Sequence, residues 1–167
     1  GAIDLRFIAP WADDDPHSKL NVMIRKVFEI WHETSANRYT NPETGRGYDL
    51  PGAVQMIFSD LGTQASQSKR GFSAYNWIRS ELIRMGIPAE QIAFMQDYDK
   101  AAAKLRLFGD LNAGRKRILI GSTATMGTGV NAQQRLKALH HLDVPWLVAD
   151  IMQREGRIVR QGNQHDE

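Results

Sequence analysis

From residue 54 onward the chain alternates short apolar runs with segments of helical periodicity, and few folds accept that alternation. Val54 to Ser59 is a short apolar run ending at Asp60 and Gly62, and it reads as a buried strand. Ser73 to Met85 carries Ala74, Trp77, Ile78, Leu82 and Met85 at helical spacing, with Gly86 beyond as a stop. Gln91 to Met95 is a second strand. Lys100 to Asn112 is a second helix, with Ala101, Leu105, Phe108 and Leu111 facing inward and Gly114 ending it. Arg117 to Ile120 gives a third strand, Leu136 to Leu142 a fourth, and Leu147 to Arg160 a final helix. Strands separated by helices at this spacing make βαβ units. The expected fold class is therefore α/β, with a mostly parallel central sheet flanked by helices. Ligands of such sheets sit beyond the carboxyl ends of the strands. The loops after Ser59, Gly121 and Leu142 are where chemistry is expected.

Upstream, residues 1–16 read as an extended lead-in ending in Asp13, Asp14, Asp15 and Pro16. A helix is expected from His17 to about Thr34, with Leu20, Met23, Ile24, Val27, Phe28 and Trp31 as its apolar stripe and Ser18 as a capping residue. Residues 35–52 are polar and rich in Asn, Pro and Gly, a loop long enough to be mobile or functional. This divides the chain into a lead-in of residues 1–51 and a main domain of residues 52–167.

The composition narrows the function classes. A chain of 167 residues with 42% hydrophobic residues can bury one core. It has no cysteine, which excludes a disulfide framework and a thiolate metal site and fits a reducing, cytoplasmic setting. No apolar run approaches a membrane span of about 20 residues. No basic-then-apolar leader opens the chain, and Gly1 in place of Met reads as a cut from a longer polypeptide. The net charge of +2 says little about nucleic acid, so the distribution matters more. Arg115, Lys116 and Arg117 form one basic cluster, readable equally as a phosphate-binding face or a solvated surface. Arg154, Arg157 and Arg160 form a second. The five histidines include the adjacent His140 and His141 but no set at metal-ligand spacing, so no metal site is expected. Trp31 and Trp77 lie in apolar stripes and read as core. Trp146, beside Pro145, stays open as a stacking residue for a base.

Two constellations carry chemistry. In Gln153-Arg154-Glu155-Gly156-Arg157-Ile158-Val159-Arg160 a helix places Gln153, Arg157 and Arg160 on one face. A planar guanidinium pairs two phosphate oxygens and keeps its proton. In Gly121-Ser122-Thr123-Ala124-Thr125-Met126-Gly127-Thr128-Gly129-Val130-Asn131 glycines admit close backbone approach, and amides and hydroxyls suit phosphate. Each constellation alone is weak. The phosphate-cradling pattern Gly-x-x-x-x-Gly-Lys-Ser/Thr is absent from the chain.

In this order, with Ile57-Phe58-Ser59-Asp60 ahead of them, the two constellations resemble motifs IV, V and VI of superfamily 2 helicases. The likeness covers about residues 52–164 and is greatest to the chromatin-remodelling ATPase branch. There a final Arg is likewise followed by Gly and Gln, as in Arg160-Gln161-Gly162-Asn163-Gln164, and Leu142-Asp143-Val144-Pro145-Trp146 resembles the segment between motifs V and VI. It also resembles the helicase part of phage, plasmid and mobile-element proteins that join a DNA methylase to a helicase, which points to a bacterial or phage origin. The resemblance implies a RecA-like three-layer second lobe. Arg157, Arg160 and Gln153 would then reach ATP, with its Mg2+ held mainly by a first RecA-like lobe of the same polypeptide. Gly127, Gly129 and Asn131 would couple the nucleotide cleft to the nucleic-acid groove. Ser59, Asp60, Ser122 and Thr123 would meet the phosphate backbone of DNA. The family usually adds one more strand after motif VI, so the sheet is expected to be cut short at Glu167. The competing function class is a non-catalytic module that binds nucleic acid or protein through a helicase-like fold. Retention of both Arg157 and Arg160 argues for the motor, because a scaffold needs neither.

Overall fold

In the computed structural model, residues 16–59, 72–126 and 134–142 are described. The order is α1 (Pro16–Glu33), β1 (Val54–Ser59), α2 (Phe72–Met85), β2 (Ile92–Phe94), α3 (Ala101–Ala113), β3 (Ile118–Gly121), the single turn α4 (Thr123–Met126) and β4 (Leu136–Leu142). The four strands form one sheet in the order β2-β3-β1-β4, and every pairing is parallel. Each strand expected from the sequence is present within a residue or two.

β1 sits between β3 and β4, and its near-continuous apolar run suits a strand covered on both faces. Alternation sends Ile57 to one face and Val54 and Met56 to the other. On the first face, Leu20, Ile24 and Val27 of α1 and Trp77, Ile78 and Leu82 of α2 pack with Ile57, Ile118 and Ile120. On the second, Leu107 and Leu111 of α3 pack with Val54, Met56 and Leu119. The result is three layers, helix–sheet–helix. The helix expected in the lead-in is thus part of the same core as the sheet.

The inward face of α3 differs from the expectation. Leu105 is 70% exposed, Ala101 is also exposed, and Leu107 takes the buried place beside Leu111. At 100° per residue, Leu107, Phe108 and Leu111 fall within a sector of about 100°, and Leu105 lies on the side away from Leu107. Both stripes satisfy helical spacing, and only the position of the sheet decides between them. Gly114 ends α3 as expected, in the left-handed region (φ 86°), where its N–H reaches back to the Leu111 carbonyl.

The segment 35–52, expected as a loop that is mobile or functional, contains a small hydrogen-bonded hairpin. Thr40 and Gly47 form an antiparallel bridge, Asn41 N–H donates to Arg46 O at 2.8 Å, and Tyr48 N–H donates to Tyr39 O at 2.9 Å. This small hairpin closes on Arg135, which immediately precedes β4. The Arg135 guanidinium donates to the carbonyls of Asn112 (2.6 Å), Leu50 (2.8 Å) and Gly52 (3.0 Å). It also lies between the rings of Tyr39 and Tyr48, 4.7 and 5.0 Å from their centroids. Arg117, immediately before β3, does the same for the end of α1. It donates to Trp31 O (2.8 Å), Ala53 O (2.9 Å) and Thr34 Oγ1 (3.0 Å), over the Trp31 ring.

The first basic cluster is therefore no phosphate-binding face. Arg117 is 3% exposed, Arg115 pairs with Asp110 at 2.7 Å, and Lys116 donates to Glu90 O at 2.6 Å.

Candidate nucleic-acid and nucleotide site

The carboxyl ends of β1, β3 and β4 meet along one edge of the sheet. Phe58 pairs with Gly121 and Ser59 with Leu142, which brings the expected Ser59 and Ser122 to adjacent strand ends. α4 starts two residues after Gly121 and folds back over the strand. Met126 N–H donates to Ser122 O at 3.0 Å, and the Met126 side chain packs with Met95 and Leu119 under the sheet. Gly121 is needed for that fold-back. A Cβ there would lie 2.5 Å from Met126 Sδ and 2.8 Å from Met95 Cβ. The turn leaves Ser122 half-buried and Thr123 exposed at the rim.

Ser59 is placed differently from these two. Its side chain is fully buried, its Oγ has no hydrogen-bond partner among the described residues, and its carbonyl accepts from Tyr75 Oη at 3.0 Å. Ser122 and Thr123 are thus the described residues that reach the rim, and Ser59 lies beneath it. Asp60, Gly127, Gly129, Asn131, Gln153, Arg157 and Arg160 lie outside the described residues, as do Trp146 and the helix expected over residues 147–160.

Behind the rim a polar line ties β4 to α1. Gln55 Nε2 donates to Val27 O at 2.8 Å, leaving Gln55 Oε1 to accept from His140 Nε2 at 2.8 Å. That assigns the proton of a neutral His140 to Nε2. Burial holds the His140 imidazole below its ordinary pKa, and the neighbouring Lys26 and His141 add to the effect. His141 points to the opposite face and stacks on Phe58 at 4.8 Å between centroids. The two adjacent histidines thus diverge, and no group of three metal-ligating side chains forms among the described residues.

Arg117, Arg135 and Gln55 were not singled out for these roles by sequence reasoning. The available signal was position: each arginine directly precedes a strand, where a side chain meets the open carbonyls of the preceding loop.

A parallel sheet with helices on both faces fits a RecA-like α/β domain. The conserved C-terminal domain of helicases matches residues 65–162, more than half of the chain, and the protein belongs to that family. The matched stretch includes Ser122, Thr123 and every expected position from Gly127 to Arg160. No curated protein and no solved structure matches the chain. Among the described residues, no helix is long and apolar enough to cross a membrane.

Proposed function

We propose that this chain is the second lobe of an ATP-dependent DNA helicase or translocase. The observation that carries the reading is the family match over residues 65–162, a range that includes both constellations, with the rim residues Ser122 and Thr123 at the sheet's carboxyl edge. On this reading Ser122, Thr123 and the amides near Gly127 bind backbone phosphates, Ser59 and Asp60 support that groove from the end of β1, and Gly129 and Asn131 link it to the nucleotide cleft. Arg157 and Arg160, three residues apart on a helix, share one face and reach the phosphates of ATP bound on a first lobe, with Gln153 beside them. Guanidinium groups suit that task, because the transferring phosphoryl group gathers negative charge in the transition state. The chain lacks the phosphate-cradling Gly-x-x-x-x-Gly-Lys-Ser/Thr pattern, so ATP and Mg2+ rest mainly on that other lobe. The methylase-helicase likeness extends the proposal to a mobile-element DNA motor of bacterial or phage origin, working in the cytoplasm.

The test uses the full polypeptide with DNA present. Arg157→Ala and Arg160→Ala each should lower turnover at saturating ATP by roughly a thousandfold or more, as for other arginine fingers. Arg160→Lys should not rescue, because an ammonium cannot make the forked contact. Arg154→Ala should cost far less, and DNA binding should persist in all four. Near-normal turnover in the Arg157 and Arg160 variants, or a matching loss of DNA binding, would overturn the assignment.

A further inference from the structure

The hairpin around Asn41 and the last turns of α3 enclose an open cleft of about 550 Å3, a size ordinary for ligand sites. It lies at the amino edge of the sheet. Its walls come from the segment before β1, the end of α3 and Gln134 just before β4, whereas the helicase motifs follow the opposite ends of the strands. Six residues of β1 separate the two edges by about 20 Å.

Three observations single it out. Its hairpin wall is fixed, because Arg135 is 1% exposed and binds the carbonyls of Leu50 and Gly52 while gripped by Tyr39 and Tyr48. Its helix wall contains Gly109, and a Cβ added there meets nothing within 4 Å. No neighbour among the described residues therefore requires glycine at that position, although glycine weakens a helix interior relative to alanine. The missing side chain leaves helix backbone bare toward the cleft, with Leu105 exposed one turn away. The third observation is charge. Among the described residues no lysine or arginine lines the cleft, while Glu43 does, together with the amides of Asn41, Asn112 and Gln134. Glu43 forms no ion pair among the described residues.

We propose that this cleft docks an extended segment of a separate partner protein carrying a lysine or arginine. Amide side chains match peptide N–H and C=O groups in both senses. The bare helix at Gly109 admits close backbone approach. Leu105, exposed one turn from Gly109 and beyond the cleft lining, offers an apolar contact to the continuing segment, and Glu43 receives the cation. A nucleic-acid backbone is the wrong occupant, since its phosphates would meet a carboxylate and no free cation. The proposal is independent of the motor reading, which concerns the other edge of the sheet.

The test pans displayed seven-residue peptide libraries, one with a central Lys and one with a central Glu, against the chain and its Gly109→Ala variant. Affinities of enriched peptides are then read by fluorescence anisotropy, beside thermal melts. The Lys library should enrich on the wild-type chain and the Glu library should not. Gly109→Ala should melt a few degrees higher through its helix propensity, yet bind at least tenfold more weakly. Glu43→Gln should bind more weakly with an unchanged melt. A higher melt beside weaker binding is an outcome that a merely structural glycine does not give. Enrichment of neither library, equal enrichment of both, or wild-type affinity in Gly109→Ala would overturn the proposal.

Discussion

Arg117 and Arg135 occupy the positions where β3 and β4 begin, and both direct their donors at backbone carbonyls. The segments before β1 and at the ends of α1 and α3 present carbonyls that no strand or helix pairs, and an unpaired buried carbonyl is destabilising by about 1–3 kcal/mol. One guanidinium satisfies several of them at once, which an ammonium on a flexible stem does less well. Burial lowers the Arg117 pKa to about 10, with the neighbouring Arg135 cation adding to the shift and Tyr39 opposing it. The group therefore still carries its charge at neutral pH. Half-buried His140 adds a pH dependence. Its folded pKa lies below the ordinary value of 6.5, so the unfolded chain binds the proton more readily. Stability contributed by neutral His140 is present above pH 6.5 and is lost as pH falls through its lowered folded value. Melting temperature should accordingly decline between pH 7.5 and 5, and His140→Gln, which keeps a donor for Gln55, should flatten the decline. An equally steep decline in His140→Gln would place the titration elsewhere.

At the scale of elements, the sheet was legible because buried parallel strands leave short apolar runs that glycines and polar turns punctuate, as at Val54–Ser59 and Leu136–Leu142. The helix faces were less legible. Leu105 and Leu107 are chemically alike, and nothing local says which one meets the sheet. The hairpin of residues 39–48 was illegible for a different reason. Its order comes from Arg135, 83 and 85 residues downstream of the Gly52 and Leu50 carbonyls that it binds, and a contact of that range leaves no periodicity. The position of Ser122 and Thr123 just past β3 was readable from the strand pattern, whereas the burial of Ser59, whose carbonyl accepts from Tyr75, was not. α1 belongs to this scale too. Leu20, Ile24 and Val27 are buried in the cluster that covers one face of the sheet, and Val27 O and Trp31 O accept from Gln55 and Arg117. A chain beginning at residue 52 would expose that face and remove acceptors of Gln55, Arg117 and Arg135. Each large apolar side chain removed from such a core costs about 2–5 kcal/mol, against a typical total of 5–15 kcal/mol. The truncated chain should show no cooperative urea transition, while the chain from Gly1 should show one. A cooperative transition of similar midpoint in the truncated chain would mean that residues 52–167 form a self-sufficient domain.

At the scale of the whole molecule, the distribution of chemistry sets what this lobe does alone. On the proposed reading its arginines reach a triphosphate, and the sequence holds no Gly-x-x-x-x-Gly-Lys-Ser/Thr pattern to cradle one, so hydrolysis would call for the surface of another lobe. Purified alone, the chain should hydrolyse ATP no faster than buffer, with or without DNA. Its contact with DNA should be weak, because the described rim offers hydroxyls and a +2 net charge commits few cations to phosphate. Hydroxyl and amide contacts position a strand without reading its bases, so affinity should be nearly the same for unrelated sequences of equal length. The few cations that do engage should make the logarithm of the affinity fall with the logarithm of salt, at a slope near one per phosphate neutralised. A fluorescence titration with single-stranded and duplex oligonucleotides at 50 and 200 mM salt measures both properties, beside a steady-state ATPase assay on the same sample. Ser122→Ala with Thr123→Ala should weaken binding further, since both residues sit at the rim. Tight, sequence-selective binding indifferent to salt would mean that bases rather than phosphates are recognised, and robust DNA-stimulated hydrolysis by the lone chain would mean that it cradles ATP by residues outside the motifs identified.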